Sequence, residues 1–329
     1  MKILISTLLI IIAGCASSEK DLVIEKIEAL DNKSSTYKPL VTQSEHGWVS
    51  PEDCDAMIFN GLLAATGFFK IDIMAARRGD FVQRTPIKEC LEAGTISRDM
   101  LVGWLHWIWT AKDFDSLDKF ISSAEKSKWI VGDYPSDADT DVKNRVKVSN
   151  NLQAIMYEMR NRMGGPFHIK QKTPKYYDSF ARGYEVHIQV MSIHLLGRMR
   201  GKIKKHRHDL IKAHRDRNKG NALLQALASR YGDGDMKNAV DILLDETLFP
   251  NDRLPDHRNY CTDYLWQREQ SKIRLTKKIG ERQVKEGVVL TITKSEIVPN
   301  DDWYPCEEKK KHFKGIDWLV AYAVVTGKL

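Results

Sequence analysis

The sequence predicts an all-α fold built of helical hairpins, and three observations predict it. From Pro51 onward apolar residues recur at intervals of three and four, the spacing that lays one stripe along a helix. Glycine or proline closes most of these stretches, where a left-handed residue or a missing amide ends a helix. The apolar–polar alternation of a half-buried strand is nearly absent.

In chain order the helical windows are Asp55–Ala65, Met100–Trp109, Leu117–Ala124, Leu152–Met163, Tyr184–Met199, Ala222–Tyr231, Met236–Leu244, Cys261–Arg268 and Ile316–Val325. Gly67, Gly79, Gly164-Gly165-Pro166, Gly197, Gly232 and Pro250 lie just beyond periodic stretches and read as stops. Ser97 and Asp235 stand where N-caps belong. One stretch breaks the helical period: Val288–Ile297 (VVLTITKSEI) reads as a hairpin strand inside a basic insertion, Ser271–Asn300.

Composition bounds the class. The chain has 329 residues, 42% hydrophobic and 29% charged, close to the globular norm, so a disordered or collagen-like chain is excluded. A mean hydropathy of −0.41 excludes a polytopic membrane protein. The formal charge of +7 is a mild excess for this length and does not point to nucleic acid.

Residues 1–15 read MKILISTLLIIIAGC. Lys2 precedes an apolar run, Ile3–Ile12, interrupted only by Ser6 and Thr7. The run is about half of the ~20 residues that span a bilayer, so it suits a signal segment and not a permanent anchor. Ile12-Ala13-Gly14-Cys15 resembles the lipobox of bacterial lipoproteins. That resemblance implies diacylglycerol transfer to the Cys15 thiol, cleavage before Cys15 and acylation of the new amine, giving two or three chains where one anchors only marginally. Ala16 at the next position, in place of Asp, implies the outer membrane, with the body facing the periplasm or the cell surface. The expected organisation is a signal peptide over 1–14, a lipidated Cys15 with a polar tether over 15–50, and one helical domain over 51–329.

The two ends of that domain look alike. Cys54 opens a helix, Thr85-Pro86 and Cys90 follow, and Ser97-Arg98-Asp99-Met100-Leu101-Val102-Gly103-Trp104 opens the next helix. Near the end Cys261 opens a helix, Tyr304-Pro305-Cys306 follow, and Gly315-Ile316-Asp317-Trp318-Leu319-Val320-Ala321-Tyr322 opens the last. Repeated hairpins whose first and last units match suggest a closed ring. In architecture the body resembles the α/α toroid of six-hairpin glycosidases and related lyases, prenyltransferases and cyclases, with a small β-hairpin-like insertion. An open α-solenoid is the alternative, but no strict 34-residue period appears.

Four cysteines remain beyond the anchor. The repeat favours Cys54–Cys90 and Cys261–Cys306 as disulfides, each worth roughly 3–4 kcal/mol in the chain-entropy model. Free buried thiols are the rival reading. No paired Cys/His spacing supports zinc, and no cofactor or resident metal is implied.

An α/α ring gathers the starts of its inner helices at one mouth. Asp99 and Asp317, both in first turns, are then candidate acid and base for glycoside hydrolysis or a lyase reaction, although the helix dipole favours Asp there in any protein. Glu185 and Asp256 are further candidate catalytic carboxylates, each with a structural alternative as a buried helix start or an Asp–Arg network. Arg98, His187 and His257 are candidate substrate ligands. Trp104, Trp303 and Trp318 are candidate stacking faces for sugar rings, against a core role. The Asp137-Ala138-Asp139-Thr140-Asp141 run lacks the glycine and glutamate of a calcium loop and reads as a solvated acidic loop. Arg198–Lys219 reads as a solvated basic face that can also meet anionic headgroups or an acidic glycan. Serine-hydrolase, zincin, Walker A and dinucleotide motifs are missing.

The expected function is an outer-membrane-anchored lipoprotein whose toroid binds, and in one reading hydrolyses, a carbohydrate polymer. The alternative is a non-catalytic envelope binding or assembly lipoprotein. Expected partners are the membrane, through the lipid, and a glycan or envelope polymer, but no nucleic acid.

Overall fold

The computed structural model describes residues 25–41, 43–49, 56–87, 96–134, 144–165, 184–217, 220–232, 235–253 and 315–329, with a few short strands between 258 and 311. It is mostly helical, as the apolar period requires. The first helix, α1, covers residues 25–40. It is followed by α2 (Met57–Thr66), a hairpin of β1 (Arg77–Arg78) and β2 (Phe81–Val82), then α3 (Arg98–Ala111) and α4 (Phe114–Lys126). A second hairpin, β3 (Ile130–Tyr134) and β4 (Asn144–Lys147), leads to α5 (Asn150–Arg162), α6 (Tyr184–Arg200), α7 (Lys205–Arg217), α8 (Ala222–Arg230) and α9 (Met236–Leu244). Three nested antiparallel pairs follow: β5 (Arg258–Asn259) with β10 (Lys310–Lys311), β6 (Ile273–Leu275) with β9 (Ile297–Pro299), and β7 (Gln283–Val284) with β8 (Gly287–Val288). They enclose the predicted Val288–Ile297 stretch within a hairpin insertion. The chain then enters α10 (Ile316–Val325). Among the described residues no helix is long and apolar enough to cross a membrane.

Local chemistry explains the helix limits. The side chains of Asp113, Ser149, Asn221 and Asp235 accept backbone amides at the starts of α4, α5, α8 and α9, satisfying donors that have no partner inside the helix. Gly67 ends α2 at φ +73°, a conformation a side chain would strain. Two expected stops do other work. Gly79, at φ +60°, turns the first hairpin. Gly197 lies inside α6, where an added Cβ would fall 2.1 Å from the Tyr231 hydroxyl. It is a contact surface and does not end the helix.

Residues 25–41 and 43–49, expected as part of a polar tether over 15–50, belong to the folded body. Leu30, Tyr37 and Val41 of this segment are buried, together with Trp48 and Val49. The Tyr37 hydroxyl donates to the Pro250 carbonyl at 2.7 Å, and its ring meets Trp318 with centroids 4.9 Å apart. Lys33 donates to the Phe249 carbonyl, and Lys26 pairs with Asp241 of α9. Asn60 of α2 brackets Val49, accepting from its amide at 2.8 Å and donating to its carbonyl at 2.6 Å. The buried stripe includes Lys33 and Ser34, and these polar residues masked the apolar period.

Helix α10 is buried from Ile316 to Val324, the pattern of a helix surrounded on all sides. It packs against α2, α8 and α9, so the first and last parts of the helical body meet. Helix α2 packs most closely against α3, where Gly61 faces Gly103. The circuit continues from α3 to α6, from α6 to α7 and from α7 to α8.

Candidate functional site

The predicted catalytic pair occupies matching places. Asp99 and Asp317 are each the second residue of their helix, α3 and α10, and both helices pack on α2. Both side chains are inside the protein: Asp99 is 6% exposed and Asp317 0%. The Ser97 hydroxyl donates to Asp99 and does not cap a backbone amide. Carboxylates at these positions face the positive end of a helix dipole. Arg98, next to Asp99, is exposed.

The predicted stacking faces require correction. Trp104 is 1% exposed, with its ring centroid 4.8 Å from that of Phe120. The cavity it borders measures about 10 Å³, room for no more than a water. Trp318 is fully buried between Tyr37 and Tyr322 and donates its indole N–H to the Leu243 carbonyl at 2.9 Å. Neither ring offers a face to a sugar; both fill the core. Glu185 and His187 stand in the first turn of α6, with their side chains outside the described residues. Asp256, His257, Trp303, Cys15, Cys54, Cys90, Cys261, Cys306 and the Cys261–Arg268 window also lie outside them.

Two features were not read as sites in the sequence. The first is a polar hub where α3, α6, α8 and α10 end together. The His106 Nε2–H donates to the Met191 carbonyl at 3.0 Å. Its Nδ1 is thereby left to accept from the Arg198 guanidinium at 3.1 Å. Arg198 also donates to Thr110 at 2.8 Å. The His194 ring stacks on that of His106, with centroids 5.7 Å apart, and its Nδ1 lies 2.8 Å from the Tyr231 hydroxyl. Arg230 donates to the Leu329 carbonyl at 2.8 Å. Arg198 meets His106 and Thr110 of α3, so it belongs to this hub and not to the solvated face expected from residue 198 onward.

Charge in the hub follows from burial and from clustered cations. Burial, reinforced by Arg198, pushes His106 down to about 3. Burial, then His106, Arg230 and Arg198, holds His194 well below its ordinary value. Arg198 is lowered to about 10 by burial and Arg230, while burial raises Tyr231 to about 12. Lys112, over the Trp109 ring at 3.3 Å, is lowered by burial and then by Arg198. Lys112, Arg198 and Arg230 stand at the ends of α3, α6 and α8, where helix dipoles favour cations. The hub is a neutral-imidazole structural centre, and its residues line neither of the cavities described.

The second feature is an open groove of about 390 Å³ between the β1–β2 and β3–β4 hairpins. Val82 and Val131 are buried in its floor, Phe81 and Ile130 are half-buried, and Arg78 and Arg145 are exposed at its rim. Phe81 is held edge-on against Phe120, with centroids 5.4 Å apart. Among the described residues lining the groove there is no carboxylate. The groove's volume is in the range that takes a small ligand. Its lining supplies cations and apolar surface, hence binding, but no acid/base pair. Sequence gave little warning of it: Arg78 and Arg145 are 67 positions apart, and each hairpin is too short for an alternating pattern.

Comparison with protein-family models, with curated proteins and with solved structures finds no match to this chain.

Proposed function

We propose that the chain is an outer-membrane lipoprotein, anchored through acylated Cys15, whose helical body is a non-catalytic module that binds an envelope polymer. The observation that carries the second half is the burial of Asp99 and Asp317 at helix starts inside the core. A glycosidase needs two carboxylates across a cleft, close enough to hold the scissile bond and a water or a covalent intermediate. Here the groove lacks carboxylates among its described lining, and the buried Asp99 and Asp317 line neither of the described cavities. The α/α-toroid arrangement is part of the proposal. It is supported by the contact between α2 and α10 and by four helices that finish at one hub.

Anchoring is tested by Cys15→Ala. The variant is expected to lose palmitate labelling and to leave the membrane fraction; full labelling would remove the lipoprotein reading. The absence of catalysis is tested by incubating the protein with peptidoglycan and polysaccharides and assaying released reducing ends. Wild type, Asp99→Asn and Asp317→Asn are all expected to release none. Cleavage by wild type that both variants lose would restore the hydrolase.

A further inference from the structure

We propose that the groove between the two hairpins binds an acidic sugar unit of an anionic glycan, its acid group held by Arg78 and Arg145 and its ring resting on the apolar floor. The inference rests on the binding-module reading and adds the site and the ligand class.

Charge is the first argument. Three other arginines of the body are neutralised by carboxylates: Arg160 pairs with Asp118, while Arg162 and Arg200 pair with Glu158. Even Arg77, beside the groove, stands 3.8 Å from Asp80. Arg78 and Arg145 come from separate hairpins to one groove and have no ion pair with a described residue. A guanidinium presents a planar fork of donors that matches a carboxylate or a phosphate, so two of them around one cavity suit an acid-bearing ligand.

Shape is the second argument. The floor of Phe81, Val82, Ile130 and Val131 is apolar and fixed, because Val82 and Val131 are buried and Phe81 is held by Phe120. A ring with one apolar face fits such a floor without the cost of ordering it. An acidic peptide added as a strand fits less well. Strand β2 is only two residues long, and β3 shifts register between Ile130 and Gly132, so neither edge offers an uninterrupted ladder.

The test titrates the full-length lipidated chain in non-ionic detergent with three probes: an oligogalacturonate, a phosphomannan oligosaccharide and a neutral chitin oligomer. One acidic oligomer, or both, is expected to bind, with the neutral one at least tenfold weaker; the carboxylate and phosphate arms show which acid is used. R78A/R145A is expected to lose at least tenfold in affinity at unchanged circular dichroism. R78K/R145K is expected to lose less. Equal binding of neutral and acidic oligomers overturns the proposal. So does binding that survives R78A/R145A but falls in K204A/K205A, which would move the site to the basic surface of α7 and leave the module reading standing. Binding of none of the three oligomers overturns both the groove and the polymer-binding module.

Discussion

Gly103→Ala is expected to destabilise the protein by about 3 kcal/mol or more, a cost at or above the usual range for overpacking. A Cβ at position 103 would lie 2.5 Å from the Cα and carbonyl oxygen of Ile58. Across the same contact, a Cβ on Gly61 would lie 2.3 Å from the Gly103 carbonyl group. These are backbone atoms and cannot rotate away, so α2 and α3 must separate. The separation loosens Ile58, Leu62 and Trp104, all buried around the contact, and close packing forfeits dispersion energy steeply with distance. Alanine's better helix propensity returns about 1 kcal/mol and does not offset the loss. Urea denaturation of wild type, Gly103→Ala and Gly61→Ala measures the effect. Unchanged midpoints would show that the two helices do not meet through these glycines.

Acid is expected to destabilise the fold well before its carboxylates titrate. The imidazoles of His106 and His194 are buried and neutral: burial and then Arg198 lower His106, while burial and then His106, Arg230 and Arg198 lower His194. Unfolded, each histidine titrates near its ordinary value of 6.5. Protonation of His106 in the fold would set a new Nδ1–H against the Arg198 guanidinium from which that nitrogen now accepts. Below pH 6.5 the unfolded chain therefore takes up protons that the folded chain refuses. Stability is complete above that pH and falls as pH drops, by about 1.4 kcal/mol per pH unit for each histidine. For His106 the decline continues towards about pH 3. Between pH 6.5 and 5 His106 alone is worth on the order of 2 kcal/mol, and His194 acts in the same direction. His106→Gln removes one titration and is expected to lower the slope by about half in that interval. A wild-type denaturation midpoint that stays flat from pH 7 to 5 would refute the neutral-imidazole hub. At lower pH Glu158 adds to the loss, since Arg200 and Arg162 together outweigh the upward push of its burial.

The helices were legible because their signals are local. The windows Met236–Leu244 and Ile316–Val325 coincide with α9 and α10, because an apolar stripe at three and four and an Asp or Gly at the start involve only near neighbours. The likeness of the Arg98-Asp99 and Ile316-Asp317 starts is likewise visible in the folded chain, where both helices begin one residue before the aspartate. Helix α1 escaped notice because Lys33 and Ser34 interrupt its buried stripe. Lys33 is tolerated there because the Phe249 carbonyl, 216 residues away, accepts its ammonium and the ring centroids of Tyr37 and Phe249 lie 5.9 and 6.0 Å from it.

The sequence alone therefore determined the helical class, most helix positions and the expectation of a lipid anchor, all of which depend on residues within a few positions of one another. Tertiary structure decided the rest. It turned Trp104 and Trp318 from candidate sugar platforms into core. It buried Asp99 and Asp317. It set His106 against Arg198, 92 residues away, and brought Arg78 and Arg145 from two hairpins to one groove. Burial, protonation and the meeting of distant cations are set by which elements pack together, and no local period encodes that.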